Sequence, residues 1–444
     1  MKIKFIINVV LLSYLPGMLF TGCKKDEPAA NQAPTCSITT PANNATFNTT
    51  DNIVVTVTAS DADGSISKVA LFVDNVATGS PKSAPPFEFT IAPGVLTAGS
   101  HTIKAVATDN KAATGEASVT IIVNYVPTVY VAGYENNGLT SVAKYWKNGT
   151  PVSLTDGTMA AGVYSIFISG NDVYAAGYEN SGNTTLAKYW KNGTGVTLGT
   201  DVSEAKSIFV SGSDVYVTGH ELKNGFDYGR YWKNGTTYKL SGISNDGGPA
   251  AYDSAGAIGN SIFIKDGNMY IMGWCPTWNG RRVPVRWING TGHALNDNIR
   301  HSYINGAYLS GSDIYSAGTQ ENATTGLAMA CYWKNDDPTV LTTGTTTIAV
   351  ANSVFVAGND VYVAGYEYDY YTGGTPIAKY WKNGTPVSLS DGTKAAYANS
   401  VVVWGNDVYV AGNEDRTAKY WKNGVSVNLT NGTSSAVAYC ILVK

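Results

Sequence analysis

The residues best placed to do chemistry come in pairs. After a glycine that recurs along the last two-thirds of the chain stand Tyr134-Glu135, Tyr178-Glu179, His220-Glu221, Trp274-Cys275, Thr319-Gln320, Tyr366-Glu367 and Asn413-Glu414. Rings beside carboxylates suit sugars, which stack on apolar faces and hydrogen-bond at their edges, and equally suit peptide surfaces. Nearby segments add Phe226 and Tyr228, Trp278 with Arg281 and Arg282, and Tyr368, Tyr370 and Tyr371 beside Asp369. The candidate ligand-binding set is therefore Tyr134, Glu135, Tyr178, Glu179, His220, Glu221, Trp274, Trp278, Arg281, Tyr366, Glu367 and Tyr370. The Tyr-Glu pair is also open to a plainer reading, in which the ring caps a core and the carboxylate is solvated.

Catalytic signatures are sparse. The histidines are His101, His220, His293 and His301, without H-x-x-x-H spacing, a G-x-S-x-G turn or a cysteine-histidine pattern. Only His220 beside Glu221 offers an acid/base pair of the kind a lyase or glycosidase needs. Glycine-rich nucleotide motifs are missing. Asp61, Asp63 and Asp109 could hold a calcium ion, since clustered carboxylates suit a hard cation, although Asp-Gly pairs also simply make turns. Cys36, Cys275, Cys331 and Cys440 lack metal-ligand spacing and read as small buried hydrophobes, with disulfide pairing not deducible. With a formal net charge of −3 and no basic stripe, nucleic acid is excluded as a partner.

The elements that must carry these residues are strands. Gly (48) and Tyr (29) are abundant and only 14% of residues are charged, a balance that suits short strands and tight turns. From Val126 onward seven units repeat, each with a Tyr three residues before a Gly, then a Trp, then a Leu; the Trp series is Trp146, Trp190, Trp232, Trp287, Trp333, Trp381 and Trp421. Each unit divides into four strand-like runs, such as SIFVSG, DVYVAGYE, AKYWKNG and TPVSLTDG, here called strands A to D. Asn-Gly between C and D and Gly-Asn-Asp between A and B predict tight hairpins. The repeated Trp and Tyr residues read as packing between units.

The first unit lacks strand A, and a spare strand follows the last. Leu389 precedes Ser400 by 11 residues and Leu429 precedes Cys440 by 11, so the C-terminal strand is expected to complete the first unit. Spacing also picks out a variable face. From strand A to the strand B Tyr is nine residues each time and from Trp to Leu eight, whereas Gly to Trp runs from 9 to 16 and strand D to strand A from 9 to 21. Those two irregular connections emerge at one end, where binding loops belong. The departures in units three to five predict a pocket off the ring axis, near units three to six.

Residues 34 to 124 form a separate set of about seven alternating runs, a β-sandwich pattern. DADGSISKVALFVDN and HTIKAVATDNKAATG resemble the bacterial Ig-like domains appended to secreted glycosidases and adhesins. Residues 126 to 444 resemble bacterial extracellular propeller repeats, with a distant likeness to the HAF repeat in the order Trp, Asn-Gly, Leu, Ala-x-Ile. The resemblance implies a seven-bladed β-propeller and says little about activity, because propellers host many.

Lys2 and Lys4, an apolar run from Phe5 to Leu15 and small residues at Thr21 and Gly22 make a targeting segment over residues 1 to 22. LFTGC around Cys23 resembles the lipobox of bacterial lipoproteins, with Phe20 where Leu is usual, and implies lipidation of Cys23. Lys24-Lys25-Asp26-Glu27 resembles the export signal of Bacteroidetes-like surface lipoproteins. The expected chain is all-β: signal peptide 1–22, tether 23–33, Ig-like sandwich 34–124, then a propeller of seven four-stranded blades over 126–444, closed by the C-terminal strand. The expected protein is a monomeric, cell-surface lipoprotein of the outer membrane, with no cofactor beyond calcium, that binds a glycan or an extracellular protein. The rival is an extracellular carbohydrate-active enzyme.

Overall fold

The computed structural model describes residues 29–243, 256–277, 280–295 and 300–444. Residues 1–22, read from the sequence as a targeting segment, lie outside them, as do Cys23 and Trp278. Among the described residues there is no helix, and the chain divides into Met1–Val126 and Pro127–Lys444.

In the first unit the alternation Ile53, Val55, Val57 against Val54, Thr56, Thr58 becomes a strand with one buried face, Ile53–Ser60. It sits between Thr35–Thr40 and Phe87–Ile91 in a three-stranded sheet. A five-stranded sheet holds Ala45–Asn48, Thr114–Asn124, Gly99–Asp109, Ile66–Val73 and Val76–Ala77 in that order. The inward positions of both sheets, including Val55, Leu71, Phe89, Ile103 and Ile121, merge in one apolar core.

The second unit contains seven four-stranded sheets. Six follow the order of the chain, as in Ala161–Ser169, Asp172–Ser181, Thr184–Lys191 and Thr194–Thr197. In the other, Thr150–Ser153, Ser141–Lys147 and Val129–Asn136 are joined by the C-terminal Ala436–Val443. Cys440 pairs with Ala132 as Ser400 pairs with Ala411, so the last strand takes the place that strand A holds elsewhere. We number the sheets 1 to 7 by their strand B, starting from Val129–Asn136.

The repeated Trp residues are buried, and each joins the core of the sheet before it. Trp190 packs with Tyr130, Ala132 and Ala143 of sheet 1, and Trp421 with Tyr362, Ala364 and Ala378 of sheet 6. Trp146 of sheet 1 packs with Tyr409, Ala411 and Ala418 of sheet 7. In five sheets small Ala residues opposite the indole allow this close approach; Thr218 with Gly229 stands there in sheet 3, and Met272 in sheet 4.

The constant hairpin end has its own chemistry. Asn148, Asn192, Asn234, Asn289, Asn335, Asn383 and Asn423 all have positive φ, which short C–D turns require. The Oδ1 of each accepts the N–H of the residue just before the repeated strand B Tyr at 2.8–3.0 Å. In five sheets the same amide donates to the Asp of the A–B turn. The Lys before that Asn completes the set with an ion pair to the same Asp. A residue added to either turn would break these bonds, which is why neither connection changes length.

Candidate functional site

Strand A of every sheet carries a bulge at the same position, occupied in sheets 1 to 7 by Tyr439, Tyr164, Lys206, Asn260, Asn305, Asn352 and Asn399. The bulge pushes the strand A backbone toward strand B. A Cβ on Gly133, Gly177, Gly219, Gly273, Gly318, Gly365 or Gly412 would collide with the carbonyl oxygen two positions before the bulged residue. The repeated glycine is thus required by close backbone approach, and the bulge re-aims one side chain per sheet.

The bulged residues and those after them line one cavity of about 550 Å³, to which all seven sheets contribute strand A. This cavity thus draws on every sheet, whereas the loop lengths point to sheets 3 to 6, whose connections lie partly outside the described residues. Strand A hydroxyls are committed to holding sheets together. Ser165 accepts from the N–H of Ile208, Ser207 from Ile262, Ser261 from Ala307, Ser353 from Val401 and Ser400 from Ile441, at 2.9–3.4 Å. The Cys440 thiol takes the same position and accepts from Ile166. Gly306 is the one interruption.

Toward the variable loops, the residue after each repeated glycine pairs across to strand A, and in six sheets one of the two is a large ring. Tyr134 faces Val437, Tyr178 faces Gly162, Trp274 faces Ile258 and Tyr366 faces Val350. Where strand B offers only Thr319 or Asn413, strand A supplies Tyr303 or Tyr397. Six sheets therefore present one large ring each, and sheet 3 presents His220 opposite Glu204. The rings touch between sheets. Tyr164 lies edge-on to Tyr439 at 5.1 Å and 5.7 Å from Tyr178. Tyr366 lies edge-on to Tyr397 at 4.9 Å, and the Arg282 guanidinium sits 4.5 Å over Trp274 and 5.9 Å from Tyr303. This collar of half-buried rings brings together Tyr134, Tyr178, His220, Trp274 and Tyr366.

The polar sector in sheet 3 is self-neutralised. Lys206 pairs with Glu204 and places its ammonium 4.1 Å over the Tyr164 ring. Burial, then the Glu204 carboxylate, lifts the Tyr164 phenol far above its ordinary range, so it remains a neutral donor. Burial pushes the Tyr366 phenol up to about 12. His220 is pulled below its usual value by burial and by Lys206; its Nε2 is 3.5 Å from Asp227 and its Nδ1 is buried without a partner.

The carboxylates of the candidate set are half-buried and ion-paired. Glu135, Glu179, Glu221 and Glu367 pair with Lys144, Lys188, Arg230 and Lys379 on the adjacent strand C, as Glu414 does with Lys419. Sheets 4 and 5 lack both partners at once: Cys275 and Val285, and Gln320 and Cys331, stand there instead. Removing acid and base together avoids leaving one half-buried charge alone. Two of the four cysteines owe their burial to this exchange.

Other candidates stand apart. Tyr370 is exposed and edge-on to Tyr371 at 5.3 Å. Arg281 is exposed, on the turn where its carbonyl accepts from the N–H of Thr277. In the first unit, Asp109 accepts from Asn31, Lys111 and Ala113, and Asp63 pairs with Lys111. Asp61 keeps one buried oxygen without a partner. No group of three metal-ligating side chains is gathered among the described residues. The bulge residues were missed as a set, although Asn-Ser or Asn-Gly at the same point of four strand A runs was a visible signal.

Residues 34–105 match the family model described as Bacterial Ig domain. No curated protein matches the chain. Among solved structures, fibronectin(III)-like modules of Clostridium thermocellum CbhA are 32% identical, over 21% of this chain and 47% of theirs, at a TM-score of 0.20. TolB from Acinetobacter baumannii is 10% identical, covering 67% of this chain and 78% of its own, at 0.39. An exo-1,5-alpha-L-arabinanase from a bovine ruminal metagenomic library is 10% identical, covering 53% and 98%, at 0.28. At these TM-scores the function has to be argued from the chain's own residues.

Proposed function

We propose that the protein is a surface-anchored glycan-binding protein, in which the seven sheets are the blades of a closed propeller and the aromatic collar receives the ligand. The observation that carries this reading is the exchange of a large ring between strands A and B. The exchange keeps one ring on each of six blades, and those rings stay half-buried beside the opening instead of being sealed in the core like the repeated Trp residues. Stacking surfaces around a polar-lined opening are what carbohydrate recognition uses. The Ig domain serves as a spacer, and lipidation at Cys23 holds the protein at the outer membrane, facing outward. Replacing Cys23 with Ser is expected to move the protein from the membrane to the soluble fraction; unchanged retention would refute the anchor.

The test of binding is a glycan array with residues 34–444, followed by calorimetry on the hits. Saturable binding that Trp274→Ala weakens supports the reading, and an array without hits removes it. A catalytic role finds less support: Tyr164 is held neutral and Glu204 is paired. A polysaccharide activity screen in which His220→Ala abolishes turnover would favour the enzyme.

A further inference from the structure

We infer that the cavity enclosed by the strand A bulges takes a single neutral sugar ring at the end of a glycan chain, held between four asparagine amide oxygens and the Tyr164 and Tyr439 phenols. The inference rests on the glycan reading above and specifies its ligand.

Asn260, Asn305, Asn352 and Asn399 stand on four consecutive blades. The amide nitrogen of each donates to a backbone carbonyl of the next blade, Ile304, Ala351, Ala398 and Ala438, at 2.7–3.0 Å. Only an NH₂ group can satisfy a carbonyl, so this partner fixes which way each amide is turned. The nitrogen is anchored to the wall, and the oxygen is left on the other prong of a side chain that lines the cavity. Four acceptors are thereby held in an arc without the entropy loss that ordering mobile side chains would impose on binding.

The remaining bulge positions hold Tyr439, Tyr164 and Lys206, which complete the lining of the cavity. Lys206 is neutralised by Glu204, and the arc facing it is uncharged; the wall offers no counter-charge to a carboxylate, sulfate or ammonium. The Tyr164 O–H is spent on Glu204, which leaves its oxygen as an acceptor, and the Tyr439 phenol, which also lines the cavity and is kept protonated by burial, supplies a donor. Hydroxyls that donate to one wall, accept from the other and present a C–H face to Tyr rings are those of a pyranose. About 550 Å³ lies within the range of small-molecule sites, roughly 300–1,000 Å³. Strand A of all seven sheets lines the cavity, so a sugar reaches it from an end of this ring of strands and not from the side, which favours a chain terminus.

The test uses the full chain and calorimetry with methyl glycosides of glucose, galactose, mannose and N-acetylglucosamine, beside a methyl uronate. At least one neutral glycoside is expected to bind and to compete with an array-identified oligosaccharide that ends in it, while the uronate does not. Asn305→Ala and Asn352→Ala should weaken binding at least about tenfold with little change in melting temperature, and Tyr164→Phe a few-fold. If the asparagine variants fail to fold, Tyr164→Phe and the glycoside competition decide the matter. Full affinity in the cavity variants with loss only in Trp274→Ala, or preference for chain interiors over termini, overturns the cavity site and leaves glycan binding at the rim standing. No binding by any neutral glycan in the unaltered protein removes the glycan reading as well.

Discussion

Trp274 and Trp287, in one sheet, separate the proposed binding role from packing. The Trp274 indole is half-buried and lies under Arg282, whereas the repeated Trp287 of the same sheet is fully buried. Alanine at 274 is expected to weaken glycan binding at least about tenfold, as truncation of an aromatic anchor commonly does, with little change in melting temperature. Alanine at Trp287 should instead lower stability by about 3–5 kcal/mol in denaturant titration. The conserved glycines are a second residue-scale test. Gly365→Ala places a Cβ against the Val350 carbonyl across the bulge, and overpacking of this kind costs about 1–3 kcal/mol. The Tyr-Glu pairs were legible as a repeated feature, but the sequence alone left each carboxylate's fate open. The signal was present: five Glu residues coincide with five cations two residues before the Trp, and units four and five lack both. Strand register was needed to connect them.

At the scale of the element, those ion pairs should behave as units. Glu221 and Arg230 are 2.8 Å apart with side chains only 16% and 7% exposed. Arg230→Met alone strands a half-buried carboxylate and should cost about 3 kcal/mol or more; adding Glu221→Gln should recover much of that loss, as sheet 5 already does with Gln320 and Cys331. A double-mutant cycle by denaturant titration measures it, and additive losses would count against coupling. The Ig unit holds a pH-dependent counterpart. His101 Nδ1 is 2.7 Å from Asp74 and Nε2 2.8 Å from the Thr97 carbonyl. Burial opposes the charged imidazole, but the two acceptors outweigh it and raise its pKa; the bond to His101, then the Thr102 N–H, lowers that of Asp74. The histidine's contribution is complete below its unfolded value of about 6.5 and fades as pH rises through the raised folded value. The aspartate's is complete above about 3.9 and fades as pH falls through its lowered value. His101→Gln should therefore lower the melting temperature of this unit near about pH 5.5 and change it little near about pH 9; equal losses at both would indicate packing alone. The sandwich strands were readable because period-two alternation has one solution when one face is buried. The bulges were not, since a single unpaired residue leaves the alternation on either side intact.

For the whole molecule, the question is what the C-terminal strand does. The repeat spacing placed it beside Val129–Asn136, and the register that results, Cys440 opposite Ala132, follows the 11-residue offset. What spacing could not reveal is the chain of inter-sheet hydrogen bonds that passes through this strand, from Ser400 to Ile441 and from Cys440 to Ile166. Deleting residues 436–444 removes both links and the buried side chains Ala436, Ala438, Ile441 and Val443. It also exposes the edge of Val129–Asn136. The expected loss is more than about 4 kcal/mol, enough to unfold or aggregate many domains. Truncation alone cannot separate closure from the general damage of losing a strand, so a permutation completes the test. Thr128 and Lys444 exchange backbone hydrogen bonds at 2.7 and 3.0 Å, which leaves their ends where a two-residue turn can join them. A chain in which residues 435–444 and a Gly-Asn turn are inserted directly before Thr128, and which ends at residue 434, turns sheet 1 into the same A–B hairpin as the other six. If the strand's role is closure, the permuted protein regains the melting temperature and elution volume of the original while the truncated one does not. A truncated protein that melts with the original, or a permuted one that stays as unstable as the truncation, would show that the strand closes nothing.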